Sequence, residues 1–334
     1  MENVKFYKIW ESPFEVYGLY GDIEKNGFRR LPEEVAKNTS SEVYRLHTHT
    51  TGGRVRFRTD SSVIVLKKSG SYFKSAHTTA MMRRGADLYI DYPYGSVYNR
   101  GIMPLDEPDS SVEITMPEGE HDVTVYLPLF GTVGSFEIGL CEGASLKEHS
   151  KPYQNELPVV FYGSSITHGA CASRPGLSYE GIISRKYNMN YTNLGFSGSA
   201  MAEDAIVEYM SGLEMSAFVS DYDHNAPNHD HLRATHHKMY QKIRENNPDI
   251  PYFMITRPNF FFNEDCIGRR DIVMQSYLDA RASGDKNVYF IDGSAFFAGE
   301  RAEDMTIDLT HPNDAGFKKM ADHIGDVIAR VMKL

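Results

Sequence analysis

A repeating pattern in the second half of the chain most constrains what the protein can fold into. From about Leu157 to the C-terminus, short apolar runs alternate with polar loops and with amphipathic stretches of helical periodicity. The pattern predicts strands at 159–162, 191–196, 217–221, 252–256 and 288–292, and helices at 179–186, 202–210, 231–246, 269–282 and 314–332. Strands that alternate with helices indicate a parallel sheet covered on both faces, and such sheets bind ligands at the C-terminal ends of their strands.

The first half of the chain has a different pattern. Apolar and polar residues alternate at 53–59, 62–67 and 122–128 with the period of half-buried antiparallel strands, and turns rich in glycine and proline punctuate this half. Helical periodicity is limited to a short turn at 31–36. We therefore predict an antiparallel β-sandwich domain at 1–150, a polar linker at 150–158 and an α/β domain at 157–334. A chain of 334 residues is long enough for two cores.

Residues that can carry out acyl transfer follow the predicted strands. Ser165 lies in a glycine-containing loop after the first strand, where its hydroxyl can act as a nucleophile if a base removes the proton. His311, just before the last helix, can be that base, and Asp308 can hold the tautomer of His311 and stabilise its charged form. Gly198 and Asn225, after the second and third strands, can donate hydrogen bonds to a developing oxyanion.

These blocks resemble the SGNH (GDSL-type) hydrolase superfamily. Residues 159–334 contain, in the order of that family, Gly-x-Ser, a glycine, an asparagine and Asp-x-x-His. The resemblance implies an α/β, flavodoxin-like, three-layer domain with a five-stranded parallel sheet. It also implies a catalytic triad of Ser165, His311 and Asp308, and an oxyanion hole formed by the backbone N–H of Ser165 with Gly198 and Asn225.

A second motif lies in the first half of the chain. The segment from Gly85 to Tyr89 reads Gly-Ala-Asp-Leu-Tyr and is similar to the GxDLY motif of a domain that precedes some SGNH esterases. This resemblance implies a jelly-roll-like β-sandwich packed on the hydrolase domain, as in bacterial carbohydrate acetylesterases. The sequence departs from the family at Ser164 and Ala226, where aspartate is common.

Several other side chains invite a functional interpretation. His168 and His224 each stand beside a catalytic block, where they either contact the substrate or only brace the loops. The histidine-rich run at 229–237 does not have the spacing of a His-Glu-x-x-His zinc motif, so we expect no metal site there. Cys171 has no sequence context of a nucleophile, and we expect a buried thiol.

Charge and hydropathy exclude several classes of partner. The formal net charge of −10 argues against nucleic acid and against anionic membranes, because both attract clustered lysine and arginine. No signal peptide or membrane span is evident, so we expect a cytoplasmic protein. The three cysteines form no disulfide framework. The sequence leaves a homo-oligomer open.

Together these features predict a serine esterase that needs no cofactor. The expected substrate is a small acyl ester, an acetyl ester on a small molecule or an oligosaccharide, cleaved through an acyl-enzyme. Two alternatives stay open. The same site could transfer the acyl group to an acceptor other than water, or the chain could be a non-catalytic carbohydrate-binding protein on a hydrolase scaffold.

Overall fold

The N-terminal half consists of two antiparallel sheets that share one core. The computed structural model describes residues 3–71, 76–103, 109–258 and 264–334. Within these residues the N-terminal strands are β1 (Val4–Lys8), β2 (Glu15–Tyr17), β3 (Arg54–Thr59), β4 (Val63–Ser69), β5 (Asp87–Tyr92), β6 (Gly95–Gly101), β7 (Ser110–Thr115), β8 (His121–Tyr126), β9 (Ser135–Cys141) and β10 (Leu146–Lys147). One sheet has the order β1-β9-β4-β7 and the other β10-β3-β8-β5-β6, with β2 also paired to β3. The predicted β-sandwich is confirmed.

The sandwich core follows the alternation of its strands. In β4, Ile64 and Leu66 are fully buried, whereas Val63 and Val65, which alternate with them, are partly exposed. In β3 the alternation is present but both faces are buried, since Val55 and Phe57 enter the sandwich core, while Arg54 and Arg56, which alternate with them, are buried outside it. The outer face of this sheet is therefore an interface rather than a solvent-exposed surface.

The N-terminal half contains more helix than the sequence predicts. Its described helices are α1 (Ile23–Asn26), α2 (Glu33–Thr39), α3 (Ser41–Leu46) and α4 (Ala80–Arg84). The side chain of Ser40 caps α3 by accepting from the N–H of Val43. Ala36, Val43 and Leu46 pack on the C-terminal sheet and not in the sandwich. Helices this short depend on such tertiary packing, which is why local periodicity did not reveal them.

The C-terminal half forms the predicted parallel sheet. Its described strands are β11 (Val159–Gly163), β12 (Tyr191–Gly195), β13 (Ala217–Asp221), β14 (Tyr252–Ile255) and β15 (Val288–Ile291), in the order β12-β11-β13-β14-β15. This is the flavodoxin-like order, in which ligands bind beyond the strand ends at the point where the chain reverses direction across the sheet. The predicted three-layer fold class is confirmed.

Helices cover both faces of this sheet. The described helices of this half are α5 (Tyr179–Tyr187), α6 (Asp204–Ser211), α7 (His229–Asn246), α8 (Glu264–Ala282), α9 (Ala302–Met305) and α10 (Asp314–Met332). On one face α6, α7 and α8 share a core with α2 and α3, and on the other α5 packs with α10. Among the described residues, no helix combines the length and apolarity needed to cross a bilayer.

Two buried arginines join the halves along the free edge of the parallel sheet. Arg30 donates to the carbonyls of Asn193 and Gly195, at 3.1 and 2.8 Å, and these residues belong to the edge strand β12. Arg54 donates to the carbonyl of Tyr191 in the same strand at 3.0 Å. An open sheet edge presents unpaired carbonyls, and here the N-terminal half satisfies them.

Candidate active site

Ser165 lies in the turn that follows β11, at the C-terminal edge of the parallel sheet. The turn is tight: a side chain at Gly163 would come within 2.5 Å of the carbonyl oxygen of Asp221. The Ser164 hydroxyl braces the turn by accepting from the N–H of Ile166 at 3.1 Å. Ser164, which replaces the family's usual aspartate, therefore provides a hydrogen-bond acceptor within the loop.

The structure brings His311 and Asp308 to this serine. The Ser165 Oγ lies 2.9 Å from His311 Nε2, and His311 Nδ1 lies 2.7 Å from Asp308 Oδ2. The other carboxylate oxygen of Asp308 accepts from the N–H groups of Thr310 and His311. Burial disfavours the charge of Asp308, but the hydrogen bonds from His311 outweigh it and lower its pKa. An ionised Asp308 holds a proton on Nδ1 and leaves Nε2 to accept the serine proton.

A cavity of about 400 Å³ opens in front of Ser165. Eleven residues line it, and they include all three residues of the predicted oxyanion hole: His77, Thr78, Arg83, Phe130, Ser165, Ala170, Ser197, Gly198, His224, Asn225 and His311. Gly198 lines this cavity with a φ of +72°, a left-handed backbone conformation that glycine adopts without strain. Asn225 Oδ1 accepts from the N–H of Ala200 at 3.3 Å, so its Nδ2 is the end that can donate to a substrate oxygen.

Substituting Asn225 tests its predicted oxyanion role. We expect Asn225→Asp to lower kcat for ester hydrolysis by about 10²–10³-fold, since it keeps the acceptor for Ala200 but replaces the amide donor with a carboxylate oxygen. Asn225→Ala, which removes both groups, should lose a similar amount. The measurement is kcat of both variants from steady-state kinetics, and thermal unfolding verifies that both are folded. Wild-type kcat in Asn225→Asp would exclude the donor role.

The N-terminal half supplies part of the cavity wall. His77, Thr78, Arg83 and Phe130 all come from it, and sequence reasoning identified none of them. They belong to no catalytic motif and reach Ser165 only through the docking of the two halves. The one local signal is that Arg83 lies two residues before the GxDLY segment.

The two flanking histidines have different environments. His168 is fully buried and does not line the cavity: its Nδ1 accepts from the N–H of Ser197 at 3.3 Å and its Nε2 donates to the carbonyl of Leu129 at 3.0 Å. Both ring nitrogens are thus used, which corrects the expectation that His168 could contact the substrate. His224 does line the cavity, and its proposed contact with substrate stays a prediction. Burial lowers the pKa of His224 to about 3, so it is neutral near pH 7.

A buried acid beneath Ser165 was not foreseen. Asp221 accepts from the hydroxyls of Thr167 and Tyr179 at 3.0 and 3.2 Å. Burial, reinforced by the neighbouring carboxylate of Asp223, raises the pKa of Asp221 well above its usual range. A neutral Asp221 braces the nucleophile turn without adding negative charge beneath the site.

The last three residues of the GxDLY segment, Asp87 to Tyr89, begin β5, and the segment contacts the hydrolase half rather than the cavity. Asp87 is buried and accepts from the guanidinium of Arg174 at 2.9 Å and from the N–H of Gly176 at 2.8 Å. The ring of Tyr89 packs against Gly176, where a side chain would come within 2.6 Å of it. The motif therefore holds together the two halves of the molecule.

The histidine-rich run lies on α7, where its rings have separate surroundings. His229 Nε2 lies 3.1 Å from the carbonyl of Asp265, and His231 Nε2 lies 2.8 Å from that of Met201. His236 is buried and stacks on the ring of Tyr222.

At the C-terminal edge of the parallel sheet, a serine is hydrogen-bonded to a histidine, which is hydrogen-bonded to an aspartate. This is the arrangement of a serine hydrolase. The chain belongs to the GDSL-like lipase/acylhydrolase family, whose sequence model matches residues 156–329. The model of the GxDLY domain, the N-terminus of SGNH-hydrolase-type esterases, matches residues 4–146.

Solved structures resemble the whole chain. A GDSL-like lipase from Bacteroides ovatus is 27% identical, with a TM-score of 0.89 over 99% of this chain and 98% of its own. The salicylyl-acyltransferase SsfX3 from a tetracycline biosynthetic pathway is 20% identical, with a TM-score of 0.80 over 98% and 97%. The acetyl xylan esterase Est2A from Butyrivibrio proteoclasticus is 11% identical, with a TM-score of 0.64 over 99% of both chains. The last two share the fold with this chain. No curated protein sequence matches it.

Proposed function

We propose that this protein is a serine esterase that hydrolyses a small acyl ester, an acetyl ester on a carbohydrate. The observation that carries the proposal is the hydrogen-bonded series from Ser165 Oγ through His311 to Asp308, at 2.9 and 2.7 Å. The Ser165 end of this series faces a cavity that is also lined by Gly198 and Asn225. Family membership supports the esterase class.

The geometry supports a two-step reaction through an acyl-enzyme. Ser165 Oγ attacks the ester carbonyl while His311 Nε2 takes its proton, and the oxyanion is stabilised by the N–H groups of Ser165 and Gly198 and by Asn225 Nδ2. Collapse of the intermediate releases the alcohol, which receives the proton from His311. Water, activated by the same imidazole, then attacks the acyl-enzyme and releases the acid.

The cavity supports a small acyl group. At about 400 Å³ it lies toward the lower end of the range of ligand pockets, and its lining combines apolar groups such as Phe130 and Ala170 with polar ones such as Thr78 and His224. A carbohydrate as the alcohol portion is supported by the two-domain arrangement, which this chain shares over its full length with a structure named as an acetyl xylan esterase.

A second candidate function is acyl transfer at the same site. It is favoured by the similarity of the whole chain to the salicylyl-acyltransferase, at a TM-score of 0.80. The chemistry is identical as far as the acyl-enzyme and differs only in whether water or another hydroxyl accepts the acyl group. A non-catalytic carbohydrate-binding role gains no such support, since each of the predicted catalytic groups is present.

The decisive experiment measures where the acyl group goes. We expect the enzyme to release acetate from acetylated oligosaccharides and from 4-nitrophenyl acetate, and the proposed preference for a small acyl group predicts slower turnover of 4-nitrophenyl octanoate. Parallel assays with added glycerol or an unmodified oligosaccharide identify transfer by mass spectrometry. If the assay yields more acylated acceptor than free acid, the proposed function becomes acyl transfer instead of hydrolysis. If no ester is turned over, both proposals are refuted.

A further inference from the structure

One cluster of metal-binding side chains lies beside Ser165. His77, Cys171 and His311 each offer one ligand atom, and these atoms all lie within 4.8 Å of one another. His77 is exposed, Cys171 is buried and His311 is partly exposed. Of the three, only His311 belongs to the predicted triad, so the arrangement has no explanation in the esterase reaction.

Three separate segments create this cluster. Cys171 has a φ of +73° in the loop after Ser165, and its Sγ donates to the carbonyl of His77 at 3.5 Å. The ring of His77 stacks on that of His311, with centroids 5.7 Å apart and an angle of 25° between the planes. The N-terminal half thus places a second imidazole next to the predicted base, and the loop after Ser165 places a thiol there.

We propose that His77, Cys171 and His311 bind a zinc ion and that this binding inhibits the enzyme. Zinc prefers imidazole nitrogen and thiolate sulfur, and three such ligands leave a fourth position for water. Tetrahedral coordination brings donor atoms to roughly 3.5 Å from one another, so this cluster must contract by about 1 Å. The exposed side chain of His77 can make that movement.

Inhibition follows from what His311 already does. Its Nε2 contacts Ser165 Oγ and its Nδ1 contacts Asp308 Oδ2, so coordination through either nitrogen interrupts the predicted triad. The metal also displaces the thiol proton of Cys171, which passes to solvent.

A zinc titration of esterase activity tests the inhibitory effect, which rests on the proposed function. We expect zinc to inhibit the wild type, EDTA to restore the rate, and Cys171→Ser to raise the half-inhibitory zinc concentration at least about tenfold while its basal rate stays near that of the wild type. Cys266→Ser, at another buried cysteine that forms no disulfide, is the matched control and should stay as sensitive as the wild type. Equal sensitivity of Cys171→Ser and the wild type would overturn the proposal.

A cadmium titration tests the site without using activity. Cadmium bound to the Cys171 thiolate should produce an ultraviolet sulfur-to-metal charge-transfer band with a stoichiometry of one ion per chain. The band should disappear in Cys171→Ser. In His77→Ala the affinity for cadmium should fall at least about tenfold. The side chain of His77 is exposed, so this substitution leaves the core of the protein unchanged. An unchanged band in both variants would refute the site, whereas the band without any esterase activity would refute only the proposed function.

Discussion

Replacing Ser165 with alanine is expected to lower kcat for ester hydrolysis by about 10⁴-fold or more. The variant lacks the hydroxyl oxygen that is placed to attack the carbonyl with general-base help, since Ser165 Oγ lies 2.9 Å from His311 Nε2. The remaining rate would come from the oxyanion donors and from positioning of the substrate. The measurement is acetate release from 4-nitrophenyl acetate and from an acetylated oligosaccharide under saturating substrate.

The neighbouring serine provides a matched control. Ser164→Ala also removes a hydroxyl from this turn, but that hydroxyl only accepts a hydrogen bond from the N–H of Ile166. We therefore expect kcat to fall by at most about tenfold. If Ser165→Ala kept more than a few per cent of the wild-type rate, Ser165 would not be the nucleophile. Equal losses in both variants would indicate that the turn as a whole, and not one hydroxyl, had been disturbed.

Replacing Arg30 with methionine is expected to lower the free energy of unfolding by about 4 kcal/mol or more. The Arg30 guanidinium is buried and donates to four carbonyls, those of Leu46, His49, Asn193 and Gly195, at 2.8–3.1 Å. Methionine fills similar space but leaves these four acceptors without that donor, at a cost of roughly 1 kcal/mol or more each. Burial lowers the pKa of Arg30 to about 9, which still keeps it charged at neutral pH.

The adjacent arginine is the control for this prediction. Arg29 forms an ion pair with Glu33 at 3.1 Å, and both side chains are partly exposed, so Arg29→Met should change stability by at most about 1 kcal/mol. Urea unfolding followed by circular dichroism compares the two variants with the wild type. A change in Arg30→Met no larger than that in Arg29→Met would mean that these hydrogen bonds do not hold the halves together.

The sequence was sufficient to predict the parallel sheet and to predict that five site residues lie at one edge of it. Ser165, Gly198 and Asn225 follow strands of that sheet, and His311 with Asp308 precedes its last helix. In a parallel sheet the C-terminal ends of strands lie at one edge, so positions far apart in the chain converge without any knowledge of side-chain packing. The catalytic roles themselves remain predictions for the variants above to test.

Two sets of buried side chains where the halves meet show where local patterns failed. The alternation in β3 correctly predicts a strand, yet Arg54 and Arg56 on its outer face are buried against the other half instead of solvated. His168 stands beside the nucleophile in sequence, but the docking of Leu129 encloses its ring and removes it from the cavity.

By itself, then, the sequence determined the fold of each half and the residues of the predicted triad and oxyanion hole, because strand and helix periods and the short motifs at strand ends are local properties of the chain. Only the tertiary structure decided what surrounds Ser165. The cavity wall at His77 and Phe130 and the burial of His168 arise from contacts between residues distant in the chain. Such contacts depend on how the two halves pack, and no periodicity within either half encodes that packing.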